Sequence, residues 1–379
     1  MIKELLIRIL KSIPGWHTSR KIVVFESDDW GSTRMPSVKA YNSLLKAGIP
    51  VDRDRYNKFD TLADKQDLLG LFEVLTSVQD RNGSYAKFTP MSLVANPDFK
   101  KNRENNFQKY YYETLPQTLN RYGGSYNDVM SLWREGINMG IFEPQFHGRE
   151  HLNVNLWIKA LQANSRETRI AFDHEVYGHP GDSYTKRKNL FMSAYEFDSE
   201  AEFNEIPEII IDGIRLFEEL FGYKPYAFMA PCAIWSSKIE PYLAEGGIKV
   251  IQSSVIRYEP YYGAQPNKYK KYVRFHGSVN SSGQIYSIRN CSFEPSSDPD
   301  KDWVNSCMAD INNAFYWKRP AIISPHRVNF IGSLVPENRD RGLTALKKLL
   351  QAMLKKWPDI EFMTSKELGE LVLKSKQLQ

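Results

Sequence analysis

Cysteine is scarce in this chain. Only Cys232, Cys291 and Cys307 occur in 379 residues, and no two of them form a CxxC pair. An odd, scattered set of three argues against a disulfide framework and fits a reducing compartment. Long apolar runs are missing too, so no segment reads as a bilayer span. Charge of one sign is not concentrated. Fifty basic and 45 acidic residues leave a net charge of +5. The densest basic stretches, "YTKRKN" and "NKYKKYVR", are short and read as solvated loops, with no nucleic-acid-binding signature beside them. There is no internal repeat, low-complexity tract or clean linker. The N-terminal stretch is interrupted by Arg8 and lacks a small-residue cleavage site, which argues against a signal peptide. A cytoplasmic protein is the expectation.

What is present is a rhythm. Short runs rich in β-branched and aromatic residues recur as "KIVVF", "YAKFTP", "IFEPQFH", "TRIAFD", "PYAFMAP", "VIQSS", "IYSIRN", "AIISPH" and "IEFMT". Between them lie helical patterns. "DKQDLLGLFEVLTSVQD" is one. "EIPEIIIDGIRLFEELFG" stops at Gly222, and "RDRGLTALKKLLQAMLKKW" is closed by Pro358. Strands alternating with helices predict βα units around a parallel sheet or barrel. Residues 1–379 are expected to form one domain. Polar, Tyr-rich insertions are expected near 95–125 and 174–205, of the kind that shape clefts. An N-terminal amphipathic helix is expected within 1–20. Its apolar face is Ile2, Leu5, Leu6, Ile9, Leu10 and Ile13, which would pack on the parent domain or, as the lesser alternative, give peripheral membrane contact through 2–13.

Three of these runs end in residues that carry chemistry. "KIVVFESDDWGS" closes an apolar strand with Glu26, Asp28 and Asp29. Asp and Gly at such a place serve turns and helix caps, but strand ends are also where α/β folds put catalytic groups. "PQFHGREHLN" holds His147 and His151 at i and i+4. On a helical turn that spacing puts two imidazoles on one face, which suits a divalent metal; a pair of polar loop histidines is the plainer reading. His326 follows "AIISP", as a packing residue or a proton donor. In a parallel barrel the C-terminal strand ends share one face. The three motifs then supply one carboxylate and two imidazoles for a metal, one spare carboxylate as base and one spare histidine as acid, the makings of a metal-assisted hydrolase.

The order of motifs resembles the NodB-homology polysaccharide deacetylases, carbohydrate esterase family 4. "ESDDWG" looks like the first motif and "HGREH" matches the second. "FMAPCAIWS" sits where the third belongs, "DPDKDW" resembles the fourth and "ISPHR" the fifth. The resemblance runs from Lys21 to the last motif with stretched spacings. It implies a distorted (β/α) barrel of about seven parallel strands with long loop insertions. It further implies Asp28 as general base, Asp29, His147 and His151 as metal ligands, His326 as general acid and Asp302 as the group orienting His326. One departure stands out. The arginine of the third motif, which in the family helps hold the catalytic aspartate, is replaced here by Met229. Arg34, Arg149 and Arg327 are the candidates to substitute for it in space.

The resemblance thus implies a metal-dependent hydrolase that removes N-acetyl groups from an N-acetylated sugar in a saccharide or polysaccharide precursor. O-acetyl ester or non-sugar amide hydrolysis at the same site is the enzymatic alternative, and a degenerate carbohydrate-binding barrel the non-enzymatic one. One Asp and two His admit cobalt, nickel, manganese or iron, with zinc as the default. Trp235 and Trp303 are candidates to line a sugar cleft, against ordinary packing. His174 and His179 read as loop residues ahead of substrate contacts. His17 reads as structural, and His276 has no evident partner.

Overall fold

The structure, a computed structural model, describes residues 15–377, so the helix expected within 1–20, with its apolar face at 2–13, lies outside the described residues. Nine strands form one sheet in which every pairing is parallel: β1 (Lys21–Trp30), β2 (Phe88–Leu93), β3 (Gln145–Gly148), β4 (Ala227–Met229), β5 (Val250–Ser253), β6 (Ile285–Ile288), β7 (Cys291–Ser292), β8 (Ala321–Ser324) and β9 (Ile360–Phe362). The path runs β6-β5-β4-β3-β2-β1-β8-β7, and β9 joins the first residues of β1. Its two ends, β6 and β7, are separated by Arg289 and Asn290 alone. The Arg289 N–H donates to the Ser253 carbonyl at 3.3 Å, and the Asn290 N–H donates to the Ile322 carbonyl at 3.2 Å. Consecutive amides therefore reach opposite neighbours, as in any interior strand. Residues 285–292 close the sheet into a distorted barrel of seven staves.

Helices cover the outside: α1 (Lys65–Thr76), α2 (Val129–Asn138), α3 (Val154–Gln162), α4 (Arg166–Asp173), α5 (Glu200–Phe221), α6 (Trp303–Tyr316), α7 (Pro336–Lys356) and α8 (Ser365–Gln377). Strands covered on both faces read as continuous apolar runs, which is why "KIVVF" does not alternate. Its two faces nonetheless part. Val23 and Phe25 pack in the largest core cluster with residues of α1, α2, α6 and α7, whereas Ile22 and Val24 meet Ala227, Val250, Ile285 and Ile322 from strands around the ring. Gly222 ends α5 as expected, with φ 78 where a side chain would be strained. One expected strand is a helix. "TRIAFD" lies in α4, because Thr168, Ala171 and Phe172 are buried at i, i+3 and i+4 while Arg169 and Ile170 between them are only half-buried.

Beyond β2, Ala95–Pro97 pairs antiparallel with Tyr112–Thr114, and a separate two-stranded ribbon is made by Ile256–Glu259 and Lys270–Val273. Among the described residues no helix is long and apolar enough to cross a membrane.

Candidate active site

The interior of the barrel is graded from bottom to top. Strand residues two apart share a face, so Ile22, Val24, Glu26 and Asp28 form one inward column. Ile285, Ser287 and Arg289 form another, and Ile322, Ser324 and His326 a third. The first members are apolar and buried, the middle ones polar, and the last ones line a cavity of about 890 Å³ at the C-terminal strand ends. Asp28 and Asp29 also line it together with His147, His151 and Arg34. In a regular strand two adjacent carboxylates would point to opposite faces. Here the register of β1 against β2 shifts between Ser27 and Trp30, and Asp29 takes φ 76. This bulge turns both side chains toward the cavity. Gly31 completes the turn. Its φ is 86, and a Cβ would lie 2.3 Å from the Leu93 carbonyl oxygen.

Asp29, His147 and His151 are buried, and one ligand atom from each lies within 4.8 Å of the others. The Asp29 Oδ1 is 3.5 Å from His147 Nε2 and 3.2 Å from His151 Nε2. The two histidines do not share a helical turn, contrary to the expectation. His147 is the penultimate residue of β3 and His151 follows in the next loop, with ring centroids 5.3 Å apart. His147 Nδ1 bonds the Met229 carbonyl at 2.8 Å, so its Nδ1–H donates and the Nε2 lone pair is left facing Asp29. That Nε2 is a buried atom with no hydrogen-bond partner. Burial lowers the pKa of His151 to about 4, keeping its ring neutral. Burial works against ionisation of Asp29, but the Arg34 guanidinium, 3.2 Å from Oδ2, and the two imidazoles outweigh it and hold the carboxyl well below its ordinary range. An ionised carboxylate, the neutral imidazole of His151 and the unpartnered Nε2 of His147 lie close enough together to fit a divalent cation.

Asp28 is wired differently. Arg289 clamps it with two bonds, Nη1 to Oδ2 at 2.5 Å and Nη2 to Oδ1 at 2.7 Å, while Arg289 Nε reaches Glu26 at 3.0 Å. Gln252 and Ser324 accept from the same guanidinium. Burial pushes the Asp28 pKa up, and Arg289 more than reverses it. Glu26 is raised by burial despite Arg289. Hence Arg289 does for Asp28 what the missing third-motif arginine would do. The three candidates for that role are engaged elsewhere. Arg34 pairs with Asp29, Arg149 with Glu150 and Asp212, and Arg327 with Asp60.

His326 lies beside Asp28, with Nε2 3.8 Å from Oδ2. Its Nδ1 bonds the Glu294 carboxylate, which is also held by Arg55 at 2.9 Å and the Asn329 amide at 2.8 Å. Burial alone would lower the His326 pKa, but Glu294 raises it to about 9. The ring of Tyr56 meets it edge-on at 5.7 Å. Asp302, expected to orient His326, does not. It is the exposed N-cap of α6, accepting from the Asn305 N–H at 2.9 Å. Glu294 holds that place instead.

Neither tryptophan lines this cavity. Trp235 is fully buried and donates to Glu240 at 3.1 Å. Trp303 lies with Asp302 in a separate groove, its ring 3.7 Å from the Lys301 ammonium. His179 does line the cavity, 3.5 Å from Asp182, whereas His174 caps α4 through the Ile170 carbonyl. His276 is buried and accepts from the Ile288 N–H, and His17 meets Arg319. Arg289 and Glu294 were the residues missed. A signal existed for the first, since "IYSIRN" puts Arg289 in step with Ile285 and Ser287. None existed for Glu294, which lies beyond a two-residue strand.

No protein-family model matches the chain, and no curated protein matches it. Among solved structures it is similar to a glycoside hydrolase/deacetylase from Parabacteroides distasonis, at TM-score 0.53 and 12% identity over 95% of this chain and 72% of that one. It is also similar to a polysaccharide deacetylase from Mycobacterium smegmatis, at TM-score 0.43 and 14% identity over 96% and 94%. The first of these carries the likeness, which is one of fold. The fold is a distorted (β/α) barrel like that of the Parabacteroides distasonis protein, and its C-terminal face presents an Asp–His–His cluster able to hold a metal ion.

Proposed function

We propose that the chain is a NodB-type, metal-dependent hydrolase that removes N-acetyl groups from an N-acetylated sugar in a saccharide or polysaccharide precursor. One observation carries this reading: a metal-capable Asp29–His147–His151 cluster shares a cavity with an oriented carboxylate, Asp28, and a histidine held protonated, His326. The cavity, about 890 Å³, is of the size that takes a small ligand or a few sugar units. Zinc is the default ion for a nitrogen- and oxygen-donor set of this kind.

A divalent ion held by these three residues supplies Lewis-acid polarisation of an acyl carbonyl and acidifies a water beside it. The remaining work belongs to the chain. Asp28, kept ionised and fixed in direction by Arg289, accepts the proton of the attacking water. Amide hydrolysis then needs a proton for a poor leaving group, the sugar nitrogen. His326 carries that proton because Glu294 holds its pKa near 9. Each such transfer is worth about 10²–10⁴ in rate. His147 is held in the tautomer that presents Nε2 to the cluster by the Met229 carbonyl.

The test combines metal content with acetate release. Purified protein should hold about one divalent ion per chain and lose it in Asp29→Asn. It should release acetate from N-acetylated saccharides and lose that activity on chelation. Acetate from O-acetylated sugars alone would replace the amide reading with an ester one. Absence of both metal uptake and acetate release would leave a carbohydrate-binding barrel.

A further inference from the structure

The ribbon Ile256–Glu259/Lys270–Val273 has no part in the cavity chemistry, yet it concentrates exposed apolar surface. Fourteen large hydrophobic residues are exposed among those described. Seven of them fall between 256 and 279: Ile256, Tyr261, Tyr262, Tyr272, Val273, Phe275 and Val279. Ile256 and Val273 are directly paired across the ribbon and are 44% and 56% exposed. A β-branched cross-strand pair facing outward leaves about half of its apolar surface uncovered by the chain. The opposite face, which also carries Tyr272 and Lys270, is different. There Arg257 and Glu259 form a buried ion pair, with Arg257 over the Trp235 ring at 5.2 Å. With that pair set aside, residues 256–279 hold Lys268, Lys270, Lys271 and Arg274 and no acidic residue.

We propose that this ribbon docks the protein on an anionic lipid bilayer. Aliphatic side chains entering the interface, tyrosines at headgroup level and lysines around them are the combination that binds such a surface. Charge decides against a second copy as the occupant, because a symmetric contact would bring four cations against four. The aliphatic pair decides against a free saccharide, which offers it nothing to bury against. The ribbon is also coupled to the cavity. Ser253 and Ser254, just before it, line the cavity wall. Asn267 near its tip accepts from the Lys188 N–H at 2.6 Å and donates to the Lys186 carbonyl at 2.9 Å, and Tyr269 donates to Glu196 at 2.9 Å. Docking would therefore set the cavity mouth beside the bilayer. The inference holds whatever reaction the cavity performs.

The experiment is vesicle co-sedimentation of the full chain, read without reference to activity. Vesicles of phosphatidylcholine with about one third phosphatidylglycerol are compared with phosphatidylcholine alone. The wild type should pellet with the anionic vesicles, and less so at about 0.5 M salt. The pairs Lys270→Glu with Lys271→Glu, and Tyr261→Ser with Val273→Ser, should each weaken binding about tenfold or more. Their circular dichroism should match the wild type, since these residues are exposed. Equal binding by wild type and both variants would overturn the proposal, as would no preference for anionic vesicles. A concentration-dependent dimer that the same substitutions dissolve, without vesicle binding, would overturn it in favour of self-association.

Discussion

The two halves of the site, the Asp29–His147–His151 cluster and the pair Asp28 and His326, are built on different plans. In the first, Asp29, His147 and His151 come from the ends of β1 and β3, on either side of β2, and the atoms that matter face one another directly. In the second, each working group depends on a partner that arrives from elsewhere. Asp28 relies on Arg289, across the seam where the barrel closes, and His326 relies on Glu294 in the following connection. The first half is a cluster of groups able to hold a metal ion; the second is two side chains whose charge is set by a partner. Ligands must meet at a point, whereas a tuning charge needs only to be near.

Arg289 is the sharpest place to break this comparison. Arg289→Met leaves Glu26 and Asp28 buried without a counter-charge, and loss of one partner from a buried pair costs about 3–5 kcal/mol. Chemical denaturation should show that loss, and acetate release should fall with it. Unchanged stability would mean that Arg289 is not the counter-charge of the barrel interior. Next in size is His326→Gln. Rate should fall by about 10²–10⁴ while bound metal is retained; loss of metal in this variant would merge the two halves into one.

Glu294→Gln sharpens the comparison through pH. The raised pKa of His326 means that the folded state favours the protonated ring. That stabilisation is complete below the ordinary histidine range of about 6.5 and disappears as pH rises through about 9. Removing the Glu294 charge should move the alkaline limb of the rate profile downward from about 9, and the stability gap between variant and wild type should narrow above that pH. An unmoved alkaline limb would release His326 from the proton-donor role. The smallest effect belongs to Asp302→Ala. As a helix N-cap it should cost about 0.5–2 kcal/mol, with activity per folded molecule unchanged. A selective loss of activity would restore Asp302 to the site.

Much of this was legible in one dimension. The apolar runs and helical periods locate eight of the nine barrel strands, and the exception, β7, is too short to leave a pattern of its own. "TRIAFD" misled because a run of six with three buried residues matches a strand as readily as a helical face. The missing third-motif arginine was visible at Met229, but its replacement was sought among arginines next to other motifs. The alternation of Ile285, Ser287 and Arg289 would have pointed to the seam.

The chain order alone determined that acidic and imidazole groups stand at the ends of buried strands, because strand period and apolar runs are local properties. It also determined that strands alternate with helices. Only the closed barrel decided which charge meets which. Closure brings Arg289 to Asp28 and Glu294 to His326, and it leaves Asp302 on an outer helix cap. Electrostatic partnership depends on distance through space, and a barrel that joins its first and last staves makes residues 261 positions apart into neighbours.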